Sequence, residues 1–345
     1  MSRTDKPIRL AIVGCGRFGE YLGDFIASNL PAAQVVAVVE PESERRARAA
    51  DRFNAQAFES VDDLIEMAVD SFDAGVITSP NGQHCADSIR LLSAGRHVFC
   101  EKPMALTSDE CERMVEVATA NGLCLMVGHK RRLRPAWSRL IELAHGDHLG
   151  DIRAVNINGW HYHPDIPDWW LTIGDGGGIL HRAGVHDIDF CNAMLGEPVW
   201  VDASCAPRVH LTSEFPEVFW VAIGYESGAV AGIQVCLWFT PTHSQESFAV
   251  QVVGSGGAAL LESTLDDGQR LSWGREPAAL DRELYDDGYD VAYDRELSSF
   301  FSWIARGERP ILTWREGWQT VRVMEAAYES ASRHRRVMLS PLAHS

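Results

Sequence analysis

Lysine is nearly missing from this chain: Lys6, Lys102 and Lys130 are the only three, and arginine supplies the other 28 of its 31 basic residues. Lysine therefore does not fill the surface, and each of the three is a candidate for a particular task. Positive charge is scarce altogether, since 48 acidic residues leave a formal charge of −17. Such a chain repels a phosphate backbone, which argues against nucleic acid and anionic membranes as partners. No window of eighteen apolar residues exists, so no membrane span is expected. The eight cysteines never form a C-x-x-C pair, and several sit in apolar runs such as Val98-Phe99-Cys100 and Val235-Cys236-Leu237. They read as small buried hydrophobes in a reducing compartment. Met1 to Arg9 carries Arg3, Asp5, Lys6 and Pro7 without an apolar signal segment, so a cytoplasmic location is expected. Internal repeats and low-complexity tracts are lacking as well.

What is present is a globular composition of 345 residues, 46% apolar and 23% charged. At roughly 150 residues per domain this suggests two domains. Strand-like runs at Ile8-Val13, Val35-Val39, Ala74-Ile77, His97-Cys100 and Leu123-Val127 alternate with amphipathic segments, the pattern of βαβ units in a parallel sheet. The pattern changes after Gly128. A helix near Pro135-Ala144, a strand near Ile152-Gly159 and an irregular aromatic stretch come first. Alternating strands at Val199-Val209, Val218-Tyr225, Ala229-Phe239, Ser247-Gly254 and Ala258-Glu262 then imply a mostly antiparallel sheet. The acidic segment Asp281-Asp294 reads as a loop, followed by helices near Arg295-Arg306 and Glu316-Arg333. The expected fold class is α/β, with domains at 1–128 and 129–345 and a C-terminal helix able to pack back on the first.

Gly14-Cys15-Gly16-Arg17-Phe18-Gly19 follows the first strand and opens the first helix. In that context G-x-G-x-x-G reads as a dinucleotide loop: a tight turn, a close approach for pyrophosphate and close helix packing. Glu40 ends the second strand about twenty residues on, where a carboxylate can hold the ribose hydroxyls and repel a 2′-phosphate. NAD is therefore expected over NADP. Arg45 and Arg46 leave room for NADP, although a solvated helix face is the plainer reading of them.

Thr78-Ser79-Pro80-Asn81-Gly82-Gln83-His84 and Gly95-Arg96-His97-Val98-Phe99-Cys100-Glu101-Lys102-Pro103 closely resemble the T-P-N-x-x-H and A-G-K-H-V-x-x-E-K-P segments of the glucose-fructose oxidoreductase / inositol dehydrogenase family (Gfo/Idh/MocA). Gly176-Gly177-Gly178 through His186 and Asp189 resembles its G-G-G-x-L-x-D-x-G-x-H-x-x-D. The resemblance implies an N-terminal Rossmann domain and a C-terminal α/β domain whose open, mostly antiparallel sheet often mediates oligomers, so a homodimer or homotetramer is expected. It also implies NAD(P)-dependent oxidation of a sugar or cyclitol hydroxyl. Lys102, at a strand end and held out of helical geometry by Pro103, matches the catalytic lysine. His186 matches the general base, and Asp189, three residues on, is placed to orient its ring. Ser79, Asn81, His84 and Glu101 match positions lining the nicotinamide and its ribose, with Arg17 and Phe18 completing the cofactor loop. Arg131 matches the basic residue of G-F-x-x-R-x-x-P, and Lys130 beside it is a candidate substrate contact, a solvated basic run being the alternative.

Trp160, His161, Tyr162, His163, Trp169 and Trp170 offer aromatic faces for a sugar, with Trp160, His163 and Trp169 as the candidates; core or subunit packing is the alternative. One departure from the family pattern stands out: Arg182 occupies the place of its aspartate, four residues before His186. Arg182 is thus a candidate for binding an anionic substrate group, with pairing to Asp175 or Asp189 as the alternative. Three rival readings remain at this level. His161, His163, His181 and His186 could converge on zinc, although no H-E-x-x-H or C-x-x-C spacing supports a metal. A non-catalytic nucleotide-binding regulator and a redox-assisted lyase or glycosidase that retains NAD are the other two.

Overall fold

The computed structural model describes residues 6–161, 167–208, 213–237, 246–264, 268–276 and 279–341. The chain divides into two compact units, Met1–His129 with Tyr293–Trp318, and Lys130–Ala292 with Gln319–Ser345. The stretch 293–318 therefore leaves the second sequence half and joins the first.

The first unit holds strands β1 (Ile8–Val13), β2 (Ala33–Val39), β3 (Gln56–Phe58), β4 (Ala74–Ile77), β5 (His97–Glu101) and β6 (Leu125–Gly128). Their order is β3-β2-β1-β4-β5-β6 and every pairing is parallel. Strands buried on both faces need continuous apolar runs, as in Ala74-Gly75-Val76-Ile77. Helices α1 (Arg17–Asn29), α2 (Ser43–Phe53), α3 (Val61–Ala68), α4 (His84–Ser93) and α5 (Ser108–Ala120) connect them. The strand order reverses beside β1, so the loops after β1 and β4 meet at the sheet's carboxyl edge, the switch point where such sheets take ligands. Tyr293 completes this unit by packing its ring 6.1 Å from Phe18 and 5.8 Å from Phe25, and Trp318 Nε1 donates to Ser108 Oγ at 2.7 Å.

The second unit opens with α6 (Pro135–His145) and carries strands β7 (Ile152–His161), β8 (Pro198–Cys205), β9 (Val218–Tyr225), β10 (Val230–Leu237), β11 (Glu246–Gly254), β12 (Ala258–Ser263), β13 (Gln269–Gly274), β14 (Asp281–Tyr285) and β15 (Val337–Met338). They form one sheet in the order β14-β13-β12-β11-β7-β10-β9-β8-β15. All its pairings are antiparallel except β7 with β10. Two short elements, α7 (Ile173–Gly176) and α8 (Val185–Leu195), lie between β7 and β8. One face is covered: Trp137 of α6 sits edge-on to Phe190 of α8 (ring centroids 4.8 Å) and 5.1 Å from Phe248 of β11. The other face presents Trp160, Trp220, Val230 and Val253, all exposed. Helices α9 (Tyr289–Arg306) and α10 (Trp314–Arg333) each run across the division between units.

The Asp281-Asp294 reading is corrected. Asp281–Tyr285 is strand β14, and α9 already begins at Tyr289. β14 lies at the sheet edge, where one row of backbone groups faces water and charged side chains are tolerated, so its alternation was hidden by its acidity. The strand expected over Val199-Val209 ends at Cys205; residues 209–212 lie outside the described set, as do Trp238 and Phe239. All eight cysteines are free thiols, and Cys205 alone is exposed.

Candidate active site

The glycine loop meets the steric demands of its motif. Gly14 has φ +92°, and a Cβ there would lie 2.5 Å from the Ser79 nitrogen. A Cβ at Gly19 would lie 2.1 Å from the Gly14 carbonyl oxygen, so helix α1 can pack this close only without a side chain. A Cβ at Gly16, by contrast, meets nothing within 4 Å. Glycine loops of this kind receive a pyrophosphate in such an open space at a helix N-terminus. Thr78 Oγ1, which the sequence reading passed over, donates to the Gly14 carbonyl at 2.7 Å and fixes the turn from β4.

Glu40 is buried at the end of β2. Its Oε2 accepts the Cys15 N–H of the glycine loop at 2.9 Å, and its Oε1 accepts from Arg45 Nη1 at 3.2 Å. Arg46 Nη1 donates to the Glu40 and Pro41 carbonyls at 2.7 and 3.0 Å. The two arginines are thus latched to the end of β2, which corrects their reading as a plain solvated face. Burial first, then Glu40, pushes the Cys15 thiol up to about 12, so it stays a thiol.

At the end of β5, Glu101 is buried and its Oε2 accepts the Lys102 N–H at 3.3 Å. The Lys102–Pro103 peptide bond is cis. Ser79 Oγ donates to Asp87 Oδ2 at 2.9 Å, and Asn81 is buried in the short turn before α4. His84 differs from its expected place along the nicotinamide: it is 1% exposed, with both ring nitrogens on backbone carbonyls. Of the expected cofactor residues, Arg17 is exposed at the start of α1, while Phe18 packs 6.2 Å from Tyr21.

In the second unit the three glycines turn sharply, with φ +77° at Gly177 and +86° at Gly178. A Cβ on Gly178 would lie 2.5 Å from the Tyr328 hydroxyl, whose oxygen accepts the Leu180 N–H at 3.1 Å. His181 stacks on the same tyrosine. The chain then makes a π turn over Leu180–Gly184 before α8, a widening common at functional sites. Between Gly176 and Cys191 only Arg182 and His186 escape burial, which marks one helical face as the open one. The Arg182 guanidinium lies 3.6 Å over the Trp170 ring, and Trp169 meets Trp170 edge-on.

Asp189 has a further role here: both its oxygens receive Arg132, with Nε at 2.9 Å from Oδ2. Arg131 is buried against Asp187 and lies 5.1 Å over the Trp137 ring, and Lys130 beside it is 9% exposed. These arginines fasten the turn after β6 to α8 and are not a basic face. Trp160 is displaced too: its parity along β7 is opposite to buried Val155 and Ile157, on the face away from α6 and α8. Tyr162 and His163 lie outside the described residues. Asp187, Arg132 and Tyr328 were missed by sequence reasoning, since each acts through a partner more than fifty residues away. Among the described residues, no group of three or more His, Cys, Asp or Glu is arranged to hold a metal ion.

A parallel sheet of this strand order with a glycine loop at its switch point, joined to an α/β unit on a large mixed sheet, defines a dinucleotide-binding oxidoreductase architecture. The chain belongs to the Gfo/Idh/MocA oxidoreductase family: residues 8–129 match its NAD-binding Rossmann fold and residues 141–339 its C-terminal alpha/beta domain. It is 27% identical to inositol 2-dehydrogenase 2 of Saccharopolyspora erythraea, over 94% of this chain and 93% of that one. It is 26% identical to the inositol 2-dehydrogenase of Rhizobium meliloti, over 96% and 99%. The crystal structure of GenD2 from gentamicin A biosynthesis, in complex with NAD, superposes with a TM-score of 0.86 at 22% identity, over 99% and 98% of the chains.

Proposed function

We propose that the protein is an NAD-dependent dehydrogenase of a sugar, sugar-derivative or cyclitol CH–OH group. The observation that carries this is the pairing, on one sheet edge, of a glycine loop open at Gly16 with Glu101 and Lys102 at the end of β5. NAD, when bound, supplies the hydride acceptor. Gly14, Gly16, Gly19 and Glu40 would hold it. Lys102 donates a hydrogen bond to the carbinol oxygen and stabilises its developing negative charge. His186 takes the hydroxyl proton, which an imidazole does well near neutral pH. The exposed apolar residues of the second sheet would form the contact of a homodimer or homotetramer, and the free buried thiols support a cytoplasmic location.

The Glu40 carboxylate beside the ribose position makes NAD the better cofactor, although Arg45 offsets part of its charge. The expected kcat/KM ratio of NAD to NADP is about tenfold or more, and Glu40→Ala, which leaves both arginines in place, should reduce it. Equal efficiency of the wild type with NADP would remove Glu40 from cofactor choice.

The Arg182 guanidinium lies over Trp170, and its N–H groups, all in one plane, have the geometry that takes a carboxylate or phosphate in two parallel bonds. An acidic sugar is therefore the expected substrate class, with kcat/KM for a uronate about tenfold above its neutral parent and the order reversed in Arg182→Asp. A neutral sugar preferred by the wild type, or a ratio unmoved by the substitution, contradicts this assignment.

A further inference from the structure

His84 opens α4 with its ring turned inward. Its Nδ1 lies 2.7 Å from the Pro103 carbonyl oxygen and its Nε2 2.9 Å from that of Ser79. A carbonyl oxygen can only accept, and a neutral imidazole has a single N–H. A neutral ring would therefore press a lone pair against one of these oxygens at hydrogen-bonding distance. Only the doubly protonated ring satisfies both. The neighbouring carboxylate supplies a second reason: Glu101 is 4% exposed, and its Oε1 is buried without a hydrogen bond among the described residues. A buried carboxylate in that state needs a cation near it. The charged groups facing the ring are Glu101 and Lys102, and Asp87 is one bond further, through Ser79. Burial is the largest influence and draws the imidazole down, with Lys102 acting alongside it, while the two carbonyls and Glu101 favour the charged ring. Against that burial stands the geometry, two pure acceptors at 2.7 and 2.9 Å that leave a bare ring nitrogen no donor to face.

We propose that His84 is held as an imidazolium that donates from both ring nitrogens, and that this buried cation is a positioning residue for Lys102. Its two bonds tie the carbonyl of Pro103, the residue after Lys102, to the carbonyl of Ser79, whose nitrogen and Cα abut Gly14 of the cofactor loop. One residue thereby fixes the lysine relative to the glycine turn. The charge has a further effect, because a second cation close by disfavours the ammonium form of Lys102 and lowers the pH at which the lysine loses the proton it offers to the carbinol oxygen. The consequence for turnover rests on the role assigned to Lys102 above, whereas the protonation of the ring does not.

The test has two arms on the full-length enzyme. In the first, the wild type is labelled with ¹⁵N-histidine and its ring N–H signals are recorded between about pH 6 and pH 9, His84→Gln serving to assign them. Both His84 nitrogens are expected to carry protons throughout. A bare ring nitrogen within that range overturns the proposal, whatever the enzyme's substrate proves to be. In the second, His84→Gln, neutral at every pH, is expected to lower kcat about tenfold with the Kd for NAD within about threefold of wild type. The basic limb of its kcat profile should move up by about one pH unit, since Lys102 then keeps its proton longer. An unchanged kcat and an unchanged basic limb would overturn the positioning role. Should His84→Gln fold poorly, His84→Asn serves the same assignment, so the first arm remains decisive.

Discussion

Replacing Lys102 by alanine is expected to lower kcat by about a hundredfold or more, and His186→Ala to do the same, because a positioned proton-transfer group typically contributes 10² to 10⁴ to a rate. The two residues reach this role by different means. Lys102 is one of only three lysines and stands at the carboxyl end of β5, with its backbone N–H on Glu101. His186 lies on the one open face of an otherwise buried helical stretch. Neither belongs to the glycine loop or to Glu40, so the dissociation constant of NAD, read by fluorescence titration, should change by less than about threefold in either variant. Near-normal turnover of a variant would take that residue out of the chemistry.

The largest effect on stability is expected at Asp187. Its side chain is fully buried and pairs with buried Arg131, whose guanidinium also lies over Trp137. Truncation to alanine leaves a cation in the interior without its counter-charge, and the expected cost is about 3–5 kcal/mol. Asp187→Asn keeps an acceptor for the guanidinium and should cost less. Replacing both partners together, as Arg131→Met with Asp187→Leu, should cost less than Asp187→Ala alone, since the desolvated charges then disappear as a pair. Denaturant midpoints of the four proteins decide this. If Asp187→Ala unfolds within about 1 kcal/mol of wild type, the buried pair is not what fastens α8 to the turn after β6.

The first sheet was legible because strands buried on both faces must be apolar throughout, and β1 and β4 match the ranges read from sequence residue for residue. β3, three residues long with two of them exposed, offers no such run. The glycine loop could be read because each glycine answers a local steric demand. The fastenings around His186 could not, since Arg131 and Asp187 are 56 residues apart. The π turn before α8, whose first N–H donates to the Tyr328 hydroxyl 148 residues away, likewise has no local sequence signature. Trp160 is a different case. The alternation of buried Val155 and Ile157 with exposed Trp160 was present in the sequence and assigned the tryptophan to the uncovered face, but its aromatic neighbours drew it into a sugar-binding cluster. The motif of His84 points to a cofactor contact, and its spacing carries no sign that both ring nitrogens meet carbonyls.

The central claim is tested most directly by following NADH fluorescence when the purified enzyme and NAD are given cyclitols, aldoses, uronates and glycosides in turn. The account predicts that at least one polyol reduces NAD in equal amount to the ketone or lactone formed, that Lys102→Ala abolishes the signal, and that NADP supports it poorly. A protein that binds NAD yet converts a glycoside without net NADH, or that reduces NAD with no member of the panel, would contradict the assignment as a dehydrogenase.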